Sequence, residues 1–329
     1  MPARQRIFVP YRARAILVQS LYSTRRMNGL RTCVFPCAGF GTRFFPATKV
    51  IPKEMLPLVD KPILQYGIEE ARGSGMDKLI IVTSQGKDSI IDHFDRSSSL
   101  ERSLREREKF DLLSEVEAVS SMVDLIAVRQ KDALGLGHAV LTARDAVGND
   151  PFAVVLPDDV ILSDEPCLAQ MRRVFEETGR PVVALMEVAP EETSRYGIVA
   201  GEMKGNRRFK VSDMVEKPKT DPPSSYAIIG RYILPPEIFP LLEKTQRGAG
   251  GEIQLTDALR QLVQSGDFYG YVFEGRRYDA GEKLGYLKAT VDYALRHPAL
   301  GKEFAAYLQG LFGNGKAIDR EAAADSGRA

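Results

Sequence analysis

Cations closely spaced behind a glycine-rich turn are the chemistry of a polyphosphate cradle. The segment Pro36-Cys37-Ala38-Gly39-Phe40-Gly41-Thr42-Arg43 is followed at once by Pro46-Ala47-Thr48-Lys49 and Pro52-Lys53-Glu54-Met55-Leu56-Pro57. An apolar run from Cys33 to Cys37 leads into the turn. Glycine lets backbone N–H groups approach an anion that a side chain would hold away. Thr42 adds a hydroxyl, and Arg43, Lys49 and Lys53 add positive charge. The ligand this suits is a nucleotide, with its polyphosphate as the place of reaction. Two other phosphate loops are excluded by the letters. A Walker A loop needs Gly-Lys-Ser/Thr after four variable positions, and a dinucleotide fingerprint needs a third glycine where this chain has Phe44.

Further chemistry lies downstream. Asp158 and Asp159 close the apolar run Phe152–Leu156, and a hard cation such as Mg²⁺ takes one or two carboxylates together with substrate phosphates and water. Strand alternation turns adjacent carboxylates apart, so Asp158 is expected to face the metal while Asp159 bonds nearby. Glu216 and Lys217, in Met214-Val215-Glu216-Lys217-Pro218-Lys219, offer an acceptor for sugar hydroxyls and a cation for a phosphate, although a Glu-Lys pair before proline is common on surfaces. Gln130 to Val140 holds a second Gly-x-Gly, at Gly135 and Gly137, opening a helix. In the run from Gly248 to Asp257, Thr256 and Asp257 are expected to cap a helix. In Arg277-Tyr278-Asp279-Ala280-Gly281, Asp279 is either a second metal carboxylate or the cap of the helix after Glu282.

The elements that must position these residues alternate. Cys33–Cys37, Pro62–Gly73, Leu79–Val82 and Ser89–Asp95 follow the rhythm of a parallel sheet covered by helices. Residues 97–118, dense in Glu and Arg, read as one exposed helix. After the strand 123–128, the loops at 36–57, 130–140 and 157–159 all fall at carboxyl ends of strands, where an open α/β sheet binds its ligands. The second half carries longer strands, at 182–188, 198–200, 209–216 and 226–233, which read as a sheet extension over that crevice. An apolar strand follows at 271–273, and helices at 236–243, 255–264, 282–296 and 302–312. The expected fold class is α/β: a Rossmann-like, mixed and mainly parallel sheet flanked by helices, with a β-rich sugar-binding extension and C-terminal helices.

With 45 basic against 44 acidic residues, no charge field favours nucleic acid, and no apolar run reaches the ~20 residues of a membrane span. Cys33, Cys37 and Cys167 form no Cys-x-x-Cys pair, so a disulfide framework or zinc site is not expected, and a reducing cytoplasm fits. Residues 1–30 hold six arginines and no acid, a composition shared with organelle transit leaders. We read them instead as an extension outside the domain, with Met27 as the ordinary start. The domain is expected to span 31–312, and 313–329 to be a frayed tail.

Taken together, Pro36–Tyr66, Gln130–Val140, Leu156–Asp159, Tyr196-Gly197-Ile198, Val215–Lys219, Ala227–Tyr232, Gly248–Asp257 and Arg277–Gly281 resemble the bacterial UTP–glucose-1-phosphate uridylyltransferases, also called UDP-glucose pyrophosphorylases, over about residues 31–312. Ala280 stands where such relatives often carry cysteine; no catalytic motif is broken. The resemblance implies that glucose 1-phosphate attacks the α-phosphorus of UTP with Mg²⁺, giving UDP-glucose and pyrophosphate. It implies that Ala38, Gly39, Gly41 and Thr42 hold the nucleotide, with Gln130 and Gly135 at uracil and ribose. Arg43 and Lys53 would face the triphosphate, Asp158 and Asp279 the metal, and Gly197, Glu216 and Lys217 the sugar phosphate. Members are commonly dimers or tetramers. The rival readings are a glucose-1-phosphate thymidylyltransferase and a catalytically silent nucleotide-sugar-binding regulatory subunit.

Overall fold

In the computed structural model, residues 29–248 and 251–312 are described. Residues 1–28 of the expected leader, with Met27, the expected tail 313–329, and Ala249 and Gly250 lie outside the described residues; Leu30, expected in the leader, is instead buried in the core. The strands, in chain order, are β1 (Thr32–Pro36), β2 (Pro57–Leu58), β3 (Lys61–Pro62), β4 (Lys78–Thr83), β5 (Asp124–Arg129), β6 (Phe152–Val155), β7 (Asp159–Leu162), β8 (Val182–Glu187), β9 (Gly197–Met203), β10 (Arg208–Glu216), β11 (Tyr226–Leu234), β12 (Phe268–Val272) and β13 (Arg276–Asp279). Nine of them form one sheet in the order β5-β4-β1-β6-β11-β8-β12-β10-β9. β5, β4, β1 and β6 run parallel, and β11 turns the sheet antiparallel. The β-rich second half is therefore a continuation of the same sheet rather than a separate layer.

Strands buried on both faces read as unbroken apolar runs, and alternate residues divide the core in two. Cys33, Phe35, Leu79 and Ile81 pack on one face; Val34, Ile80, Val82 and Phe152 pack on the other. Helix α1 (Ile63–Gly73) covers the first face with Leu64, Ile68 and Ala71. Gly67 permits this close approach, since a Cβ there would lie 3.3 Å from Val155 and 3.4 Å from the Phe35 ring. All three cysteines are buried and free, and burial pushes their thiols well above the ordinary range.

Several expectations need correction. Residues 97–118 form two helices, Ser98–Glu106 and Phe110–Ser120, not one. Glu108 adopts a left-handed φ of 58°, and the Lys109 N–H donates to the Leu104 carbonyl at 2.9 Å, a Schellman closure that glycine usually provides. The strand expected at 271–273 begins earlier, at Phe268, whose side chain is buried. Thr256 and Asp257 do not cap their helix: Leu255–Ser265 starts before them, with Gln254 at the cap position and no side-chain cap bond.

Candidate active site

The phosphate-cradle turn leaves β1 between short helical turns. Gly41 adopts φ 65°, and its carbonyl accepts a bond from Thr48 Oγ1 at 2.7 Å. Its lack of a side chain also matters, because a Cβ would stand 3.1 Å from Lys53 Cβ. This turn and the Pro-Lys-Glu segment are bolted together from below. The buried Lys87 ammonium donates to the Cys37 carbonyl at 2.5 Å and to Glu54 Oε2 at 2.9 Å. Glu54 is 1% exposed, its other oxygen Oε1 has no partner, and burial raises its carboxyl above the usual range despite Lys87 and Lys53.

Lys53 reaches Asp158 Oδ2 at 2.6 Å. Burial works against both charges. The mutual attraction wins, so the Lys53 ammonium is held above, and the Asp158 carboxyl below, its ordinary value. Asp159 turns the other way, but for a different reason than strand alternation: Asp158 lies in the turn between β6 and β7, closed by the Asp159 N–H on the Leu156 carbonyl at 3.2 Å, and only Asp159 belongs to a strand. Its Oδ2 accepts from the Gly230 N–H at 2.8 Å and its Oδ1 from Arg277 Nε at 2.5 Å. β7 and β13 then pair antiparallel with Asp159 opposite Asp279, and the Ala280 N–H donates to the Asp158 carbonyl at 2.8 Å. This small ladder brings Asp279 beside Asp158. Asp279 Oδ1 accepts from the Gly281 N–H at 3.1 Å, so it stabilises its own turn and does not cap the following helix, Lys283–Arg296. Burial raises the Asp279 carboxyl, with Arg277 at 3.4 Å opposing.

The two carboxylates fit a hard cation. A Cβ at Gly281 would lie 2.7 Å from Asp158 Oδ2 and 3.1 Å from Asp279 Oδ1, so both oxygens border the space that this glycine leaves open. Among the described residues no group of three or more His, Cys, Asp or Glu encloses a metal position. Two carboxylates completed by phosphate and water is the set a Mg²⁺ site uses.

A cavity of about 560 Å³ opens here, lined by Arg43, Asp158, Gly197, Glu216, Lys217 and Asp279 among the expected residues. Gly197 and Glu216 face each other across β9 and β10, and a Cβ on Gly197 would approach Glu216 Oε2 to 3.3 Å. Thr256 Oγ1 donates to that same Oε2 at 2.7 Å, which is what its hydroxyl does in place of capping. Lys217 bends away from the strand with φ 45°. Ala38, Gly39, Gly41, Thr42, Gln130 and Gly135 do not form the wall of this cavity; Leu136, next to Gly135, does. Gln130 is buried, donating from Nε2 to the Gly135 carbonyl at 3.3 Å and bonding His138 Nδ1 at 2.8 Å.

Sequence reasoning missed the arginines around Tyr196. Arg277 donates to the Tyr196 hydroxyl at 3.0 Å, and Arg195 bonds Glu282 at 2.9 Å, which also lies 3.5 Å from Arg43. The string around Tyr278 contained Arg277, but only the β7–β13 pairing reveals its direction.

The crevice lies at the carboxyl end of a mixed sheet and is lined by charges of both signs, with Arg43, Arg195, Lys217 and Arg277 facing the carboxylates. A family model described as Nucleotidyl transferase matches residues 37–295, and the chain belongs to that family. Proteins called UTP–glucose-1-phosphate uridylyltransferase from Staphylococcus epidermidis and Bacillus subtilis are each 47% identical over 286 residues, 87% of this chain and 99% and 98% of theirs. A solved UDP-glucose pyrophosphorylase complexed with UDP-glucose is 44% identical with TM-score 0.76, covering 82% of this chain and 100% of that one. A UTP-bound UGPase from Acinetobacter baumannii is 40% identical with TM-score 0.80, covering 85% and 99%. A putative glucose-1-phosphate thymidylyltransferase from Bacillus anthracis, at 23% identity and TM-score 0.65, shares the fold alone. The family-level expectation and the α/β fold class are borne out.

Proposed function

We propose that this chain converts UTP and glucose 1-phosphate into UDP-glucose and pyrophosphate, with Mg²⁺ at Asp158 and Asp279. The observation that carries the reading is the convergence of these two carboxylates on the space beside Gly281, in the same cavity as Glu216 and Lys217. Lys217 receives the sugar phosphate, Gly197 gives it room, and Glu216, held by Thr256, accepts from the sugar hydroxyls. Ala38, Gly39, Gly41 and Thr42 carry the triphosphate side, where Arg43 and Lys53 counter its charge. Gln130 and Gly135 bound the base and ribose.

The nucleophile needs no protein base. A sugar phosphate is largely dianionic at neutral pH, its second pKa lying near ~6. What the crevice must do is bring two polyanions together, hold the attacking oxygen in line with the departing pyrophosphate, and stabilise charge on the leaving oxygens. A bound metal would supply charge neutralisation between nucleotide phosphates. Among the described residues, no histidine or cysteine lines the cavity. We further place the enzyme in the cytoplasm as a homo-oligomer, a dimer or tetramer.

Pyrophosphate release from purified protein with Mg²⁺ and glucose 1-phosphate, compared across UTP, dTTP, ATP and GTP, tests the reading. Release strongly favouring UTP is expected. Release favouring dTTP would transfer the chain to the thymidylyltransferase reading, and no release with any nucleotide would leave the silent binding subunit.

A further inference from the structure

Among the described residues, Arg231 in β11 is the largest fully buried side chain, 1% exposed. Sealing a guanidinium from water is costly unless its charge is paired and its donors are satisfied. Glu70 in α1 provides the charge, accepting from Arg231 Nε at 3.0 and 3.1 Å and from Nη2 at 2.7 Å. The remaining donors go to backbone. Nη1 donates to the carbonyls of Leu156 at 3.2 Å and Gly230 at 2.9 Å, and Nη2 donates to the carbonyl of Asp159 at 2.8 Å. Leu156 and Asp159 bracket Pro157-Asp158.

We propose that Arg231 is a positioning residue for the metal site, fixing the direction of the Asp158 carboxylate by gripping the carbonyls on either side of it. Arg231 touches neither substrate nor metal; it acts through the backbone. Glu70 makes the grip rigid, because its Oε1 also accepts the Leu168 N–H at 3.1 Å, tying α1, the helix Cys167–Thr178 and β11 to one carboxylate. Asp159 forms the second jaw, its side chain held by the Gly230 N–H and Arg277. A purely structural pair here would gain nothing from being charged, since apolar side chains of similar volume often replace a buried ion pair without loss of stability. What an apolar side chain lacks is donors for two carbonyls that flank a ligand. Outer partners of metal ligands typically change metal affinity or activity by about 10–100-fold when removed.

The inference rests on the reading of Asp158 as a metal ligand, and the test separates the two. The full chain is saturated with UDP-glucose, and Mn²⁺ binding is read from the electron paramagnetic resonance of free Mn²⁺, with thermal midpoints measured alongside. Arg231→Lys keeps the charge opposite Glu70 but cannot fork to both carbonyls, and the double variant Arg231→Met, Glu70→Leu removes the charges together. Both are expected to weaken Mn²⁺ about tenfold, with kcat falling and KM for UTP nearly unchanged, whatever the shift in midpoint. If the double variant does not accumulate, Arg231→Lys alone decides. Wild-type Mn²⁺ affinity in the Arg231 variants, with Asp158→Asn weakened, would overturn the positioning role and leave the metal reading standing. Wild-type affinity in Asp158→Asn itself would overturn both.

Discussion

At the scale of single residues, the candidate site pairs opposite charges at close range. Lys53 rests on Asp158 at 2.6 Å, an ammonium beside the carboxylate we assign to a metal. Asp158→Asn is expected to lower kcat by about 10²–10³, the typical cost of removing one preorganised electrostatic contact. Lys217→Ala is expected to raise KM for glucose 1-phosphate more than KM for UTP, in steady-state assays varying each substrate. The Lys53 pair also makes a pH prediction. Burial alone would raise the Asp158 carboxyl, but the Lys53 ammonium more than offsets it and holds the folded value below the unfolded one. Stability from such a group is present above the unfolded carboxylate value, near ~3.9, and is lost as pH falls through the folded value. On acidification below about pH 4 the wild type should therefore lose more thermal stability than Asp158→Asn. Parallel acid limbs in scanning calorimetry would contradict the pairing.

At the scale of elements, what was legible in the sequence is what depends on neighbours along the chain. The runs at β1, β4 and β6 are apolar because both faces of each strand are covered, so they stand out without any knowledge of their partners. The glycine turn and its cations are likewise local. Whatever depended on distant pairing was not readable. Glu108 gives no sign that it will take a left-handed conformation, Thr256 reads as a cap until Glu216 is seen beside it, and nothing around Arg231 announces a buried guanidinium. The same dependence makes loop packing testable. Gly135 has φ 96°, and a Cβ there would lie 2.7 Å from Glu252 Cβ and 3.0 Å from the Ile253 carbonyl. The 134–137 segment is bonded to that loop, with the Gly137 N–H on the Ile253 carbonyl at 2.9 Å and the Ile253 N–H on the Leu134 carbonyl at 2.8 Å. Gly135→Ala is expected to raise KM for UTP with a destabilisation of about 1–3 kcal/mol, the usual range for overpacking. Nucleotide kinetics and urea midpoints check it, and an unchanged KM would remove this loop from the nucleotide site.

At the scale of the whole molecule, one sheet carries both the glycine turn, which leaves its parallel strand β1, and Glu216 and Lys217, at the end of its antiparallel strand β10, while the β7–β13 ladder beside it carries Asp279. The helices after it, Lys283–Arg296 and Gly301–Phe312, expose Leu284, Leu287, Tyr307, Leu311 and Phe312. Exposed apolar side chains on these two helices are consistent with the proposed homo-oligomer. Light scattering should give a multiple of the 36.5 kDa chain mass, and a single species of that mass would contradict it. The central claim concerns how the two anions meet: one direct, in-line displacement at the α-phosphorus by the sugar phosphate, with no protein nucleophile between. The most direct measurement is the stereochemical course with UTP carrying a chiral α-phosphorothioate. Inversion at phosphorus in the UDP-glucose analogue is expected for a single displacement. Net retention would reveal two displacements through a covalent nucleotidyl-enzyme, and would contradict the mechanism derived from this crevice.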